Sequence, residues 1–179
     1  MADKIPRIAE FYKVSFGEYE KTYRSRVDKN LSDEALRKIY EDIKLPKRAT
    51  TGSAGYDFVS PFDFTLNPMN EIYLPLGIRV KMEIGWVLQL FPRSGLGSRY
   101  RLQLNNTTGI IDSDYFDTEN EGHLMCTVAN CSFDREKILE VKKGDGLLQG
   151  VFLQYGITLS DDTFNKRIGG FGSTDKRNL

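Results

Sequence analysis

The chain has 179 residues with 25 Lys plus Arg against 25 Asp plus Glu, so its formal net charge is zero at pH 7. That length holds one domain with a real core and no comfortable second one, and the charge balance argues against bulk nucleic acid or an anionic membrane as partner. The single histidine, His123, has no Gly-x-Ser-x-Gly elbow to serve, and with no Cys-x-x-Cys or His-x-Glu pattern the zinc deaminases are excluded on ligand count. As a lone residue at a strand start, His123 reads as a surface or interface group. Cys126 and Cys131 fall in a strand-like run at a spacing that puts them on opposite faces, so they are expected as reduced, buried thiols. No apolar leader follows Met1, and the apolar stretch from Trp86 to Phe91 is far too short to span a membrane. The expectation is a cytoplasmic protein.

In chain order, residues 5–16 carry Ile5, Ile8, Phe11, Tyr12, Val14 and Phe16, which predicts a first strand at a sheet edge. From Ser32 to Ile43, Leu36, Ile39, Tyr40 and Ile43 recur with helical spacing behind Ser32 as N-cap and Asp33 and Glu34 in the first turn. This is the one amphipathic helix that the pattern supports. Pro46 ends it, and short apolar runs bounded by turn residues follow: Tyr56 to Val59, Glu71 to Leu74, Gly77 to Met82, Trp86 to Phe91, Leu124 to Cys131, Ile138 to Val141 and Leu147 to Tyr155. Many short strands without helices between them predict an all-β barrel or jelly-roll-like domain over residues 1–162, with the helix at about 32–43 as an insertion. The Gly-rich, basic segment 163–179 has little to bury and is expected to be a flexible tail.

Five glycine-bearing segments stand in fixed order: Ala54-Gly55-Tyr56-Asp57, Pro92-Arg93-Ser94-Gly95-Leu96-Gly97, Gly109-Ile110-Ile111-Asp112-Ser113-Asp114-Tyr115, Gly144-Asp145-Gly146-Leu147-Leu148-Gln149 and Gly169-Gly170-Phe171-Gly172-Ser173-Thr174. The second offers open backbone amides, hydroxyls and guanidiniums to oxyanions, yet lacks the Gly-Lys-Ser/Thr of a P-loop. The third, taken from Asn105, reads as a hairpin bearing amides, an acid and an aromatic ring. The first and fourth place a carboxylate and an amide beside strand-initiating turns.

Together these segments resemble the five motifs of the trimeric dUTP pyrophosphatase (dUTPase) family over roughly residues 45 to 175. The resemblance implies a distorted jelly-roll, or β-clip, barrel that hydrolyses dUTP to dUMP and pyrophosphate with Mg²⁺. It assigns Asp112 as the base that activates water and Tyr115 as the ring that excludes a 2′-hydroxyl. Asn106 and the backbone around Gly109 read uracil, while Arg93, Ser94 and Gly95 contact phosphates. Gln149 orients the α-phosphate and its metal, and Asp57 meets the metal through water. From the tail, Phe171 stacks on uracil, Gly172, Ser173 and Thr174 assist, and the family's γ-phosphate arginine corresponds to Arg167 or, by the tighter spacing, to Lys166. The family's tail closes over a neighbouring subunit, which implies a homotrimer with shared sites and 163–179 as the lid. Too few oxygen ligands cluster in sequence for an all-protein Mg²⁺ cage.

The pattern is broken in places: Gly146 stands where the family usually carries an arginine, the tail is one residue tighter, and about four extra residues, Asp117 to Asn120 among them, form an acidic loop. Two rivals are a non-catalytic nucleotide-sensing or partner-binding protein, against which the intact Asp112 argues, and a dCTP deaminase or a bifunctional deaminase that also hydrolyses dUTP. The deaminases use a glutamate where Thr127 stands here, and a hydroxyl cannot relay protons as a carboxylate does.

Overall fold

In the computed structural model, which describes residues 5–165, 167 and 169, antiparallel strands carry the chain almost throughout. β1 (Ala9–Lys13) is followed by helices α1 (Phe16–Arg26) and α2 (Asp33–Glu41), then by β2 (Lys47–Arg48), β3 (Tyr56–Val59), β4 (Phe64–Leu66), β5 (Glu71–Pro75), β6 (Ile78–Met82) and β7 (Trp86–Pro92). A short helix α3 (Ser94–Tyr100) leads to β8 (Leu102–Leu104) and β9 (Gly109–Ile111). A single 3-10 turn (Ser113–Tyr115) precedes β10 (Met125–Asn130), β11 (Leu139–Val141) and β12 (Gly146–Gln154). The strands form sheets ordered β2-β3-β12-β7-β9, β5-β10-β8, β1-β6 and β4-β11. This is the jelly-roll-like architecture expected from the sequence, and no helix among the described residues is long and apolar enough to cross a membrane.

Period-two burial explains the layers. In β6, Ile78, Val80 and Met82 face inward, and in β10 Cys126, Val128 and Asn130 do so. β12 breaks the alternation with consecutive buried leucines, Leu147 and Leu148, where its register with β3 shifts between Gly146 and Leu148; the bulge turns both toward the core. Asn130 is fully buried yet satisfied, its Nδ2 donating to the carbonyls of Leu66 and Lys137.

Four sequence expectations are corrected. The first strand ends at Lys13, and Ser15 caps a helix, α1, where strand had been read: its hydroxyl accepts from Glu18 N at 3.2 Å. A short helix, α3, opens at Ser94 within the Pro92 to Arg99 segment, between strands that were expected to have no helices between them. Residues 105–115 are not a hairpin, since β8 pairs with β10 and β9 pairs with β7, so the segment crosses from one sheet to another. His123 is fully buried rather than at the surface.

The expected helix at 32–43 stands as α2, capped by Ser32 accepting from Ala35 N. Together α1 and α2 bury Tyr19, Tyr23 and Leu36 against the β5–β6 turn, where Gly77 has φ +68° and a Cβ would lie 2.3 Å from Ile43 Cδ1. Only glycine permits both that backbone and that approach. The Gly77 amide donates to His123 Nε2 at 3.0 Å, which leaves Nδ1 protonated and facing Glu18 Oε1 at 3.6 Å. Burial pushes the His123 pKa down to about 4. Both cysteines are free thiols as expected, but only Cys126 is buried while Cys131 is partly exposed, and burial pushes Cys126 up to about 12.

Candidate active site

A cleft of about 240 Å³ opens between β9, the 3-10 turn and the start of β10. Asn106, Gly109, Tyr115 and Arg167, all singled out in the sequence, line it together with Asn105, Leu90 and Thr127. β9 holds Gly109 opposite Leu90, whose Cβ would stand 3.1 Å from a side chain at 109. Asp112 follows β9 in extended conformation and stands at the N-cap of the 3-10 turn, which brings Tyr115 back beneath it: Tyr115 N donates to Asp112 O at 3.2 Å. The carboxylate stays half exposed (49%) while the tyrosine is buried (6%). Arg167 crosses over both, donating to Asp112 Oδ2 at 2.6 Å, lying 3.4 Å from Asp114 Oδ1 and 5.2 Å above the Tyr115 ring. Burial raises the Tyr115 phenol above its ordinary pKa, offset in part by a hydrogen bond from Asn120.

A second group forms where β12 lies between β3 and β7. Gln149 is paired with Asp57 on one side and Phe91 on the other, and the Arg93 amide donates to Leu147 O at 3.0 Å. Arg93 Nε lies 3.5 Å from Asp57 Oδ1. Gln149 Oε1 would be 2.8 Å from a Cβ at Gly55, so its side chain lies across that glycine. Ser94 and Gly95 are exposed in the first turn of α3 immediately beyond Arg93. The expected residues therefore gather in two groups: Asp112 takes Arg167 as its partner, Asp57 takes Arg93, and the second group is absent from the cleft wall. Phe171, Gly172, Ser173 and Thr174 lie outside the described residues.

The model of the dUTPase family matches residues 41–174. The chain belongs to the dUTPase family. Over 135 residues it is 37% identical to the deoxyuridine 5'-triphosphate nucleotidohydrolase of Lactococcus lactis subsp. lactis, covering 74% of this chain and 88% of that protein. It is 34% identical over 148 residues to the corresponding protein of Dictyoglomus turgidum, covering 78% and 95%. Among solved structures, the dUTPase from Streptococcus mutans superposes with a TM-score of 0.58 at 27% identity, over 83% of this chain and 97% of that one. The dUTPase from phage phi11 of S. aureus, at 19% identity and a TM-score of 0.60 over 93% and 99% of the chains, supports the fold alone. Helix α1 precedes the matched dUTPase region, and α2 is almost entirely outside it.

Asn105, Asn120 and Met125 had no individual role in the sequence reading. Asn105 and Met125 line the dUTPase cleft, and Asn120 donates to the Tyr115 hydroxyl from a loop that reads only as acidic. Among the described residues, no three His, Cys, Asp or Glu side chains converge to hold a metal ion. Single carboxylates, each beside an arginine, fit a divalent cation that draws most of its oxygens from phosphates.

Proposed function

We propose that this dUTPase-family chain hydrolyses dUTP to dUMP and pyrophosphate, with Asp112 as the general base for water attacking the α-phosphate. The observation that carries the reading is a half-exposed carboxylate and a buried tyrosine on one turn at the mouth of a small cleft. A carboxylate so placed can take a proton from water, and Tyr115 closes the cleft wall against a bulkier sugar. Asn106 and the backbone around Gly109 are suited to the uracil edge. Arg93, Ser94 and Gly95 present a guanidinium, a hydroxyl and backbone to the phosphate chain, and Gln149 orients the α-phosphate.

Mg²⁺, when bound with the triphosphate, neutralises charge on its oxygens; Asp57 through water and Gln149 are the residues that would hold it. Arg167 occupies Asp112 in the free chain, and a γ-phosphate competes for that guanidinium, which releases the carboxylate for proton transfer. Segment 163–179, with Phe171, Gly172, Ser173 and Thr174, acts as the lid that excludes water.

The separation of the two groups supports a homotrimer in which one copy supplies Asp112 and Tyr115 while another supplies Asp57, Arg93 and Gln149. Exposed apolar side chains along the last described segment, Tyr155, Ile157, Leu159 and Phe164, suit packing on a neighbouring copy. Against deamination, the cleft lining contains no Glu among the described residues, and Thr127 stands at the decisive strand position. The reading predicts that Asp112→Asn lowers kcat for dUTP by at least ~10² while the nucleotide still binds, as expected when a general base is removed. Near-normal turnover by that variant would refute it.

A further inference from the structure

The loop between the 3-10 turn and β10 is outside the family pattern, yet it is among the most tightly bonded segments beside the cleft. We propose that Asn120 in this loop is a positioning residue for Tyr115 and so sets the discrimination against a 2′-hydroxyl. The proposal rests on the dUTP-hydrolysing reading and deepens it.

A phenol makes one donated bond and accepts others, and Tyr115 uses both capacities. Its hydroxyl donates to His123 O at 2.8 Å and accepts from Asn120 Nδ2 at 2.8 Å. The amide is itself held. Asn120 Oδ1 lies 2.8 Å from Thr118 Oγ1, which is buried, lies 2.8 Å from Tyr115 O and accepts from Gly122 N at 3.2 Å. Gly122 has φ +66°, and a Cβ there would stand 2.7 Å from Tyr115 O and 2.8 Å from Phe116 Cα, so the loop closes onto the tyrosine's own backbone.

The loop is also tied to the rest of the fold from outside. Glu121 accepts from the Ser15 amide at 2.7 Å and the Ser15 hydroxyl at 2.5 Å, which joins it to the N-terminus of α1. Arg79 lies 3.6 Å over the Phe116 ring and donates to Phe116 O at 2.6 Å. An amide in an otherwise acidic loop, fixed at both ends and aimed at the phenol, leaves the Tyr115 ring one position against the cleft. A ring free to tilt would make room for ribose, because such selectivity depends on sub-ångström placement.

The test compares kcat/KM for dUTP and for UTP in the full-length wild type, Asn120→Ala, Tyr115→Phe and the double variant. Taking the ratio of the two substrates cancels the fraction of protein that is active, so a purely structural loss does not move it. We expect Asn120→Ala to lower the dUTP:UTP ratio ~5- to 10-fold, as fits the loss of one buried hydrogen bond at a discriminating group. Tyr115→Phe, which also removes the bond to His123 O, should lower it at least as much, and the double variant should match Tyr115→Phe within about twofold, since Asn120 then has no phenol to hold. If Asn120→Ala does not fold, Asn120→Ser, too short to reach the phenol, replaces it with the same expected loss. A ratio that stays at the wild-type value in the folded variant, or single effects that multiply in the double, overturns the role of Asn120. A wild type with no preference for dUTP would instead overturn the functional reading itself.

Discussion

Gly146 shows how a position that departs from a family pattern can leave its space to a neighbouring side chain. A Cβ at Gly146 would stand 2.1 Å from Arg93 Nη1, 2.9 Å from Cδ and 3.0 Å from Cζ. The Arg93 side chain thus lies across the bare backbone of β12 on its way to Asp57, using the volume that an arginine at 146 would claim. The missing side chain was legible in the sequence. Its consequence was not, because β12 and the end of β7 meet only through sheet pairing. Gly146→Ala should push Arg93 off this seat. The Arg93–Asp57 pair is partly exposed and only 3.5 Å at its nearest, so it contributes little to stability, and unfolding free energy should stay within about 0.5 kcal/mol of wild type. Activity is different: kcat/KM for dUTP should fall ~10-fold as the guanidinium is misplaced. Steady-state kinetics beside a thermal melt distinguishes the two, and unchanged kinetics would mean that Arg93 has another productive seat.

Among the elements, α2 could be read from spacing and caps, whereas α1 could not. Phe11, Tyr12, Val14 and Phe16 carry a β-rich signal straight into α1, whose buried face mixes Tyr19 and Tyr23 with Glu18 and Thr22. The signal that was available is Ser15-x-x-Glu18, the spacing of a capping box. Glu18 does not close the box: Glu121 takes the Ser15 amide, and Glu18 turns inward to His123 and accepts from Thr22 Oγ1 at 3.0 Å. The arrangement makes α1 sensitive to acid. His123 titrates near 4 in the folded chain against an ordinary 6.5, so the unfolded chain binds the extra proton first. Stability from this group is full above pH 6.5 and is lost as pH falls toward 4, by about 3 kcal/mol, with burial the main cause and the nearby Glu121 opposing it in part. Thermal midpoints between pH 7 and 4.5 should fall with that slope, and His123→Gln, which keeps an acceptor for the Gly77 amide, should flatten it. An equal slope in the variant would place the acid-sensitive group elsewhere.

For the whole molecule, seven strands were legible: Tyr56 to Val59 is β3, and the runs for β5, β6, β7, β10, β11 and β12 match within a residue or two, whereas β2, β4, β8 and β9 matched none of those runs and the first run overshot β1 into α1. The five motifs were legible as a set. How they divide in space was hidden, because registers such as Gln149 with Asp57 and Leu90 with Gly109 join segments far apart in sequence. That division separates the proposed base-and-sugar group from the proposed phosphate group, and the proposed homotrimer would bring them together. Every role in this account converges on one reaction, so the decisive measurement is pyrophosphate release from dUTP, dCTP, dTTP and UTP by the full chain with Mg²⁺. The account predicts release from dUTP at least ~10²-fold faster in kcat/KM than from the others, the scale a shaped pocket can achieve. Comparable release from UTP, uracil nucleotide formed from dCTP, or no release from dUTP would contradict it.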